Sequence, residues 1–84
     1  MKPIHFSGHA KGQVAFRGTT GKEVENVIKT SKWIPAELNK LECRKDFVYK
    51  KEWNKKFYKT KQVRPIFVEE EKEIVVVTVY VYYF

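Results

Sequence analysis

Residues Glu73–Phe84, with the sequence E-I-V-V-V-T-V-Y-V-Y-Y-F, decide the fold of this chain. Nearly every residue in this segment is β-branched or aromatic, which is the composition of a packed strand. Apolar residues occupy both alternation phases, so neither side of the strand is a plain solvent face. The segment is too short for a membrane-spanning helix, which needs about 20 apolar residues. We therefore expect it to be the central strand of an antiparallel sheet.

Two helices are predicted in the N-terminal part of the chain. Ser7 is a suitable N-cap for a first helix over residues 8–16. Thr20 and Glu23 have the spacing of a capping box, which predicts the start of a second helix over residues 21–32.

Two more strands are predicted at residues 42–49 and 57–68, joined by a polar loop with Asn54 at its tip. Pro65 predicts a bulge in the second of them, because proline cannot donate to the hydrogen-bond ladder. Residues 1–6 are either an edge strand or an ordered arm. This order predicts one α+β domain over residues 1–84. Both helices then pack on one face of a three-stranded antiparallel sheet, or of a four-stranded one if the N-terminal segment joins it.

The charge of the chain is large and unevenly placed. Seventeen Lys and Arg against ten Asp and Glu give a net charge of +7, and residues 50–64 hold seven basic side chains against the single acidic Glu52. Such a field attracts polyanions such as RNA, DNA or an acidic protein segment. A net charge of this size also serves solubility in small domains. The density of the 50–64 segment favours a polyanion partner.

Cofactor and metal chemistry have little support in the sequence. Cys43 is the single cysteine, which excludes an intramolecular disulfide and agrees with a reducing compartment. His5, His9 and Cys43 lack the spacing of a zinc site, and no phosphate-binding glycine loop or nucleophile elbow is present. We expect no metal and no cofactor. The absence of a signal peptide and of a long apolar run predicts a cytoplasmic protein with no membrane partner.

Several blocks of the chain match a known family in order and spacing. They are His9-Ala10, Arg17-Gly18, Glu23-Val24 with Val27-Ile28, the block over residues 42–47, and the strands around residues 63–67 and 74–80. On these residues, and over nearly its full length, the chain resembles a bacterial and archaeal family of unknown function that is usually grouped with RelE/ParE-type toxins.

The resemblance implies a RelE/ParE-like fold with an open, concave sheet face opposite the helices. In RelE-type toxins that face binds mRNA at the ribosome and carries Lys, Arg and Tyr or His groups that promote backbone cleavage. The implied function is an RNA-binding toxin of a toxin–antitoxin pair, acting as a metal-independent mRNA endoribonuclease and neutralised by an acidic antitoxin segment. The family's catalytic residues do not carry over one by one, so the activity rests on analogy.

The C-terminal hairpin predicts where such a face would bind RNA. One register places Arg64 opposite Thr78, and a register slipped by one residue places Lys61 opposite Tyr80. Either way tyrosines lie beside polar or basic groups, which suits stacking of bases and neutralisation of phosphates. The predicted RNA-binding residues are Lys45, Lys59, Lys61, Arg64, Tyr80 and Tyr82. The predicted opposite, helix-covered face consists of Val75, Val77, Val79 and Val81. Cross-strand tyrosine packing or a dimer interface would explain the same pattern.

The candidate catalytic residues are Arg44, Arg64 and Tyr82. Arg44 would stabilise charge that develops on a phosphate, although a surface pair with Asp46 is the slightly favoured explanation. Histidine can serve as a general acid or base, but the place of His9 near a helix start favours a structural role. Arg17 is interpreted as a helix-end residue.

A second function from another class also fits the sequence. Both phases of residues 74–84 are apolar, which is more than one layer of helices needs to cover. This pattern favours a non-catalytic module that forms a homodimer or docks a protein partner through its sheet. Cys43 is expected to be a small packed residue of the first hairpin strand.

Overall fold

The computed structural model describes residues 1–84 and contains two helices and one sheet of six strands. The helices are α1 (Gly8–Phe16) and α2 (Gly21–Thr30). The strands are β1 (Ile4–Phe6), β2 (Ile34–Pro35), β3 (Leu41–Glu42), β4 (Lys45–Trp53), β5 (Lys56–Glu69) and β6 (Ile74–Tyr83). The α+β class with two helices is confirmed. The predicted strand count of three or four is wrong.

The helices begin where their caps predict. Ser7 accepts a hydrogen bond from the Ala10 amide at the start of α1, and Thr20 accepts from the Glu23 amide at the start of α2. The latter helix ends at Thr30, two residues earlier than predicted. No helix of the fold has the length and apolar composition of a membrane span.

Strands β5 and β6 form the centre of the sheet, whose order is β1-β6-β5-β3-β2, with β4 also paired to β5. The N-terminal segment is a strand, and it lies parallel to β6 with Ile4 opposite Ile74. The sheet is therefore mixed and not purely antiparallel.

Pro65 divides the predicted first hairpin strand into β3 and β4. Glu42 of β3 pairs with Ile66, and Lys45 of β4 pairs with Val63, so both strands keep one register along β5. Pro65 lies between these two pairings and has no N–H to donate, which interrupts the ladder there. The expected irregularity is thus a strand break on one side of β5.

A bulge on the other side of β5 decides which β6 side chains face the helices. The register shifts between Ile66 and Phe67, so that Arg64 lies opposite Tyr80 and Gln62 opposite Tyr82. Neither predicted register is correct: Glu69 pairs with Ile74 across the turn, which differs from both predictions, and the bulge adds one more residue to the offset. The buried residues of β6 are Ile74, Val76 and Val79. The predicted helix-facing row is therefore wrong for Val75 and Val77.

The core lies between the helices and the covered face of β5 and β6. It consists of Ala10, Val24, Val27, Ile28, Cys43, Val63, Phe67, Ile74, Val76 and Val79. Three of these residues come from α2 at helical spacing, so this helix supplies most of the apolar layer over the sheet.

The predicted polar loop between β4 and β5 is mostly strand. The turn consists of Asn54 and Lys55, both at positive φ (51° and 67°), which is the conformation of a two-residue hairpin turn. Gly18, at φ 78°, packs under this hairpin; a Cβ there would lie 2.6 Å from the Trp53 ring. Glycine is required at this position to let the turn end of the hairpin approach the end of α1.

Candidate nucleic-acid interface

The sheet face opposite the helices carries a hydrogen-bonded cluster centred on Glu42 and Arg64. The Arg64 Nε and Nη2 atoms donate to the two Glu42 carboxylate oxygens at 2.6 and 2.9 Å. Its Nη1 atom donates to the Tyr82 hydroxyl at 3.2 Å. Arg44 Nη2 donates to Glu42 Oε2 at 3.3 Å. The three predicted catalytic residues are thus brought together, around a glutamate that was not among the predicted site residues.

The charges of this cluster are fixed at neutral pH. Hydrogen bonds from Arg64, with a smaller contribution from Arg44, hold the pKa of Glu42 below its usual value despite the opposing effect of burial. The same carboxylate raises the pKa of Arg64. Because the Arg64 guanidinium is held in a two-point contact, it is an oriented group and not a free cation. The Arg44 side chain is 53% exposed and keeps donors that point to solvent.

The aromatic rings on this face differ in how much of each ring is accessible for stacking. The guanidinium groups of Arg17 and Arg64 lie over the Tyr80 ring, 5.2 and 5.5 Å from its centroid. Tyr82 is 41% exposed and Phe84 is 59% exposed. Tyr82 and Phe84 therefore offer the free ring faces, while the Tyr80 ring is covered by cations.

Phe84 is a candidate residue that the sequence reasoning missed. Two backbone hydrogen bonds to Thr60, at 2.8 and 3.0 Å, fix it beyond the end of β6. It shares the alternation phase of Tyr80 and Tyr82, so strand periodicity alone could have placed it on this face.

A cleft of about 660 Å³ opens on the same face between β6 and the β2–β3 loop. Its lining includes the apolar Pro35, Ile66 and Val77 and the cationic Lys40 and Arg64. The loop turns through Leu38 and Asn39, both at positive φ. Glu37, Glu42 and Tyr80 also line the cleft, so its walls combine apolar side chains with charges of both signs.

None of the three predicted RNA-binding lysines lies on the open face: Lys59 is on the β4–β5 hairpin, and Lys45 and Lys61 are on the helix side. Lys61 is 6% exposed, and its Nζ atom donates to Glu23 Oε1 at 2.8 Å and to the Gly18 carbonyl at 3.2 Å. Lys45 Nζ donates to Asn26 Oδ1 at 2.8 Å. The side chains of Lys45 and Lys61 lie on the helix side of the sheet, because strand alternation places them on the face opposite to Arg64. Burial alone raises the pKa of Glu23, but the hydrogen bonds from Lys61 and Thr19 outweigh it, so the pKa is lowered.

The remaining lysines of the basic segment lie on the β4–β5 hairpin. They are exposed, and none of them forms an ion pair: Lys50, Lys51, Lys55, Lys56 and Lys59. The Nζ atoms of Lys51 and Lys56 lie 5.6 Å from the centroids of the Tyr49 and Tyr58 rings. The unpaired positive charge of the segment is thus concentrated on the hairpin.

The other candidates have simple placements. His9 is exposed on α1, and Arg17 is the C-cap of that helix. Cys43 is 2% exposed, so its predicted burial is confirmed, although it lies in the break between β3 and β4 and not within a strand; burial raises its pKa to about 11. The surface pair between Arg44 and Asp46 does not form, because Asp46 accepts from Gln62 at 2.8 Å.

No group of three or more His, Cys, Asp and Glu side chains is arranged to hold a metal ion. No protein-family model, curated protein or solved structure matches the chain.

Proposed function

We propose that this chain is a RelE-like RNA-binding protein of the cytoplasm, and that the open sheet face takes a single strand of RNA. The observation that carries the proposal is the exposed ring of Tyr82 beside Arg64 and Arg44, on a face that no helix covers. Single-stranded RNA is bound by rings that stack on bases and by cations that neutralise phosphates.

Each residue of the face has a distinct part in this proposal. Tyr82 and Phe84 stack on successive bases. Arg44 contacts a phosphate, since its guanidinium is exposed. Arg64 is a positioning residue, because three of its five donors hold Glu42 and the Tyr82 hydroxyl.

More specifically, we propose that the chain is the toxin of a toxin–antitoxin pair. It would cleave mRNA as an endoribonuclease that needs no metal ion. The 2′-hydroxyl of the bound strand would attack the adjacent phosphorus and lose its proton to water, while the bond from phosphorus to the 5′ oxygen of the next nucleotide breaks. Arg44 would stabilise charge that develops on the reacting phosphate, and the Tyr82 hydroxyl, held by Arg64, would give a proton to the leaving 5′ oxygen and regain one from water. An acidic antitoxin segment would neutralise the chain by binding the same cations.

Titration of a fluorescent twelve-nucleotide oligouridine tests the binding proposal. Tyr82→Ala should weaken binding by about 1–3 kcal/mol at a nearly unchanged salt dependence, because it removes a stack and no charge. Arg44→Gln should reduce the slope of log K against log salt by about 0.7, the value of one phosphate contact on a single strand. Lys11→Gln, which removes an equal charge from exposed α1, should leave the slope nearly unchanged. Wild-type affinity in folded Tyr82→Ala would overturn the proposal.

Tyr82→Phe separates binding from chemistry, because it keeps the ring and removes the hydroxyl. Retained affinity with lost cleavage of the oligonucleotide would assign the hydroxyl a chemical role. Induced expression in a bacterial host tests the toxin. Normal growth and intact mRNA at high soluble expression would remove the toxin hypothesis and leave RNA binding standing.

A second candidate function is a protein-docking or dimerisation module that uses the same face. The favouring observation is an exposed apolar row at one end of the open face, formed by Val48, Tyr82 and Phe84. Sedimentation velocity over a hundredfold range of concentration tests the homodimer. A strictly monomeric profile would leave only a foreign partner for this candidate.

A further inference from the structure

The β4–β5 hairpin is a second basic surface, distinct from the open sheet face. Its part around the turn, residues 49–59, carries the five exposed lysines named above and one carboxylate, Glu52. None of these lysines is paired with an acid, whereas Arg44 and Arg64 share Glu42. Unpaired like charges on one small hairpin repel each other, so the surface gains stability when a polyanion neutralises it.

Aromatic rings near the turn of this hairpin stiffen it. Trp53 stacks on Tyr83 with centroids 4.9 Å apart and planes 17° apart, and Tyr49 and Tyr58 pack against the same Tyr83 ring at 5.1 and 5.7 Å. Tyr83 in turn donates from its hydroxyl to the Arg17 carbonyl at 2.7 Å. The hairpin is thus fastened to α1 and β6.

These rings are engaged with each other and with lysines, so they are not free to stack on bases. The Nζ atom of Lys61 lies over Tyr49 as well, at 5.6 Å from its centroid. Phe57 is the one exposed ring of the hairpin. A surface with many free cations and few free rings suits a nucleic acid whose bases are already stacked in a helix and present only their phosphates.

We infer that the β4–β5 hairpin binds the phosphate backbone of a double-helical RNA segment, next to the single strand that the open face takes. Lys51, Lys55 and Lys56, around the turn, make the main phosphate contacts. Strand β5 links the two surfaces, since it runs without a break from Lys56 at the turn to Arg64 on the open face. The preferred ligand is therefore a junction between duplex and single strand. The role of the open face in this inference rests on the proposed function, and the duplex contact does not.

Three RNA probes separate the two surfaces: a sixteen-base-pair stem closed by a tetraloop, the same stem with an eight-uridine tail, and a free twelve-nucleotide oligouridine. The test variant is K51Q/K55Q/K56Q. The matched control is K11Q/K22Q/K32Q, which removes three exposed and unpaired lysines elsewhere, so both proteins go from the net charge of +7 to the same lower value. Glutamine keeps the length of each stem, and circular dichroism and thermal melting verify folding.

The inference predicts that the hairpin triple variant binds the stem at least about tenfold more weakly at 0.1 M salt. Its salt slope should fall by about 0.9 for each phosphate of the double helix that the variant no longer neutralises. The control triple variant should lose less than about threefold, because distant charges are screened at this salt. The tailed stem should bind wild type more tightly than either probe alone. Tyr82→Ala should abolish that advantage and leave the binding of the plain stem intact.

Equal losses in both triple variants would overturn the inference, since net charge alone would then explain binding. Stem affinity that is unchanged in the hairpin variant would overturn it as well. Binding to a membrane in place of RNA would also overturn the inference. In that outcome, vesicles with one-third phosphatidylserine bind the wild-type protein but not the hairpin variant, and the RNA stem binds neither protein. Loss of oligouridine binding in Tyr82→Ala with a normal hairpin result would support both surfaces. Failure of the oligouridine test alone would count only against the proposed function.

Discussion

Two carboxylate–cation pairs lie on opposite faces of β5, and they hold their cations in different ways. On the helix side, Glu23 of α2 accepts from Lys61 at 2.8 Å and ties the helix to the sheet. On the open side, Glu42 of β3 accepts from two nitrogens of Arg64 and ties a short strand to the centre of the sheet. Lys61 is almost fully covered, whereas Arg64 keeps a quarter of its side chain exposed.

The difference shows that local charge density does not say which cations reach a ligand. Lys61 lies in the most basic segment of the chain, yet its charge is neutralised by Glu23, which is distant in sequence. Lysine presents a compact ammonium that one carboxylate and one carbonyl can satisfy, while the planar guanidinium of arginine has five donors. Arg64 can therefore hold Glu42 and still donate to Tyr82.

The largest expected effect comes from breaking the buried pair. Glu23→Gln should lower the free energy of unfolding by about 3 kcal/mol, because it leaves the covered Lys61 ammonium without a counter-charge. Urea unfolding measures this. The control is Glu25→Gln on the same helix, whose partner Lys29 is exposed, and it should cost less than about 0.5 kcal/mol. Equal stability of the two variants would show that the pair across the helix–sheet interface contributes nothing.

Glu42→Gln should cost less, about 2 kcal/mol, because Arg64 is partly exposed and keeps its bond to Tyr82. The variant should also change the response to acid. The pKa of Glu42 in the folded chain lies below its usual 4.5, so its stabilising contribution is complete above that value and is lost as the pH falls through the folded pKa.

Urea titrations at pH 7 and pH 3 test the sign. Wild type should lose more stability on acidification than Glu42→Gln, which has no charge to neutralise at this position. Glu23 shares the direction of the shift and remains in the variant, so some acid sensitivity persists. Identical losses in both proteins would contradict the assignment of an ionised Glu42 to the native state.

The elements of the fold were predictable where the signal is local. Both helix starts follow from Ser7 and Thr20, whose side chains cap the first turn in the structure as the sequence indicates. The β-branched run of β6 also predicts its own strand. By contrast, the two-residue β2 strand has no periodic signal, because it is too short to show alternation.

The candidate site was less predictable because it depends on register. The bulge opposite Ile66 shifts β6 relative to β5, and no residue type at that point marks its position. Glu42 is one of ten acids in the sequence, and only the pairing of β3 with β5 brings it to Arg64. Arg44 comes close through the same pairing, whereas Tyr82 reaches Arg64 through the shifted register of β6 on β5.

The smallest expected effect on stability comes from substituting Cys43, in the short segment between β3 and β4. Cys43 directly follows Glu42, but its side chain is in the core, where its thiol lies 3.6 Å from the Val27 carbonyl. Cys43→Ser should lower the free energy of unfolding by about 1 kcal/mol, because a hydroxyl loses more than a thiol on transfer from water to this apolar site. Cys43→Ala is the control, since it removes the sulfur without adding a hydroxyl. RNA binding should be unchanged in both variants.

Thiol labelling tests the same placement without a mutation. Burial, with a smaller contribution from the Glu42 charge, raises the pKa of Cys43 from 9.0 to about 11. The thiolate fraction at neutral pH is therefore reduced about a hundredfold, and restricted access slows reaction further. An aromatic disulfide reagent should modify the native chain at least about a hundredfold more slowly than the chain in guanidinium. Rapid labelling of the native chain would mean that the break between β3 and β4 opens readily. The Glu42–Arg64 pair, one residue away, could then not be the fixed group on which the open face depends.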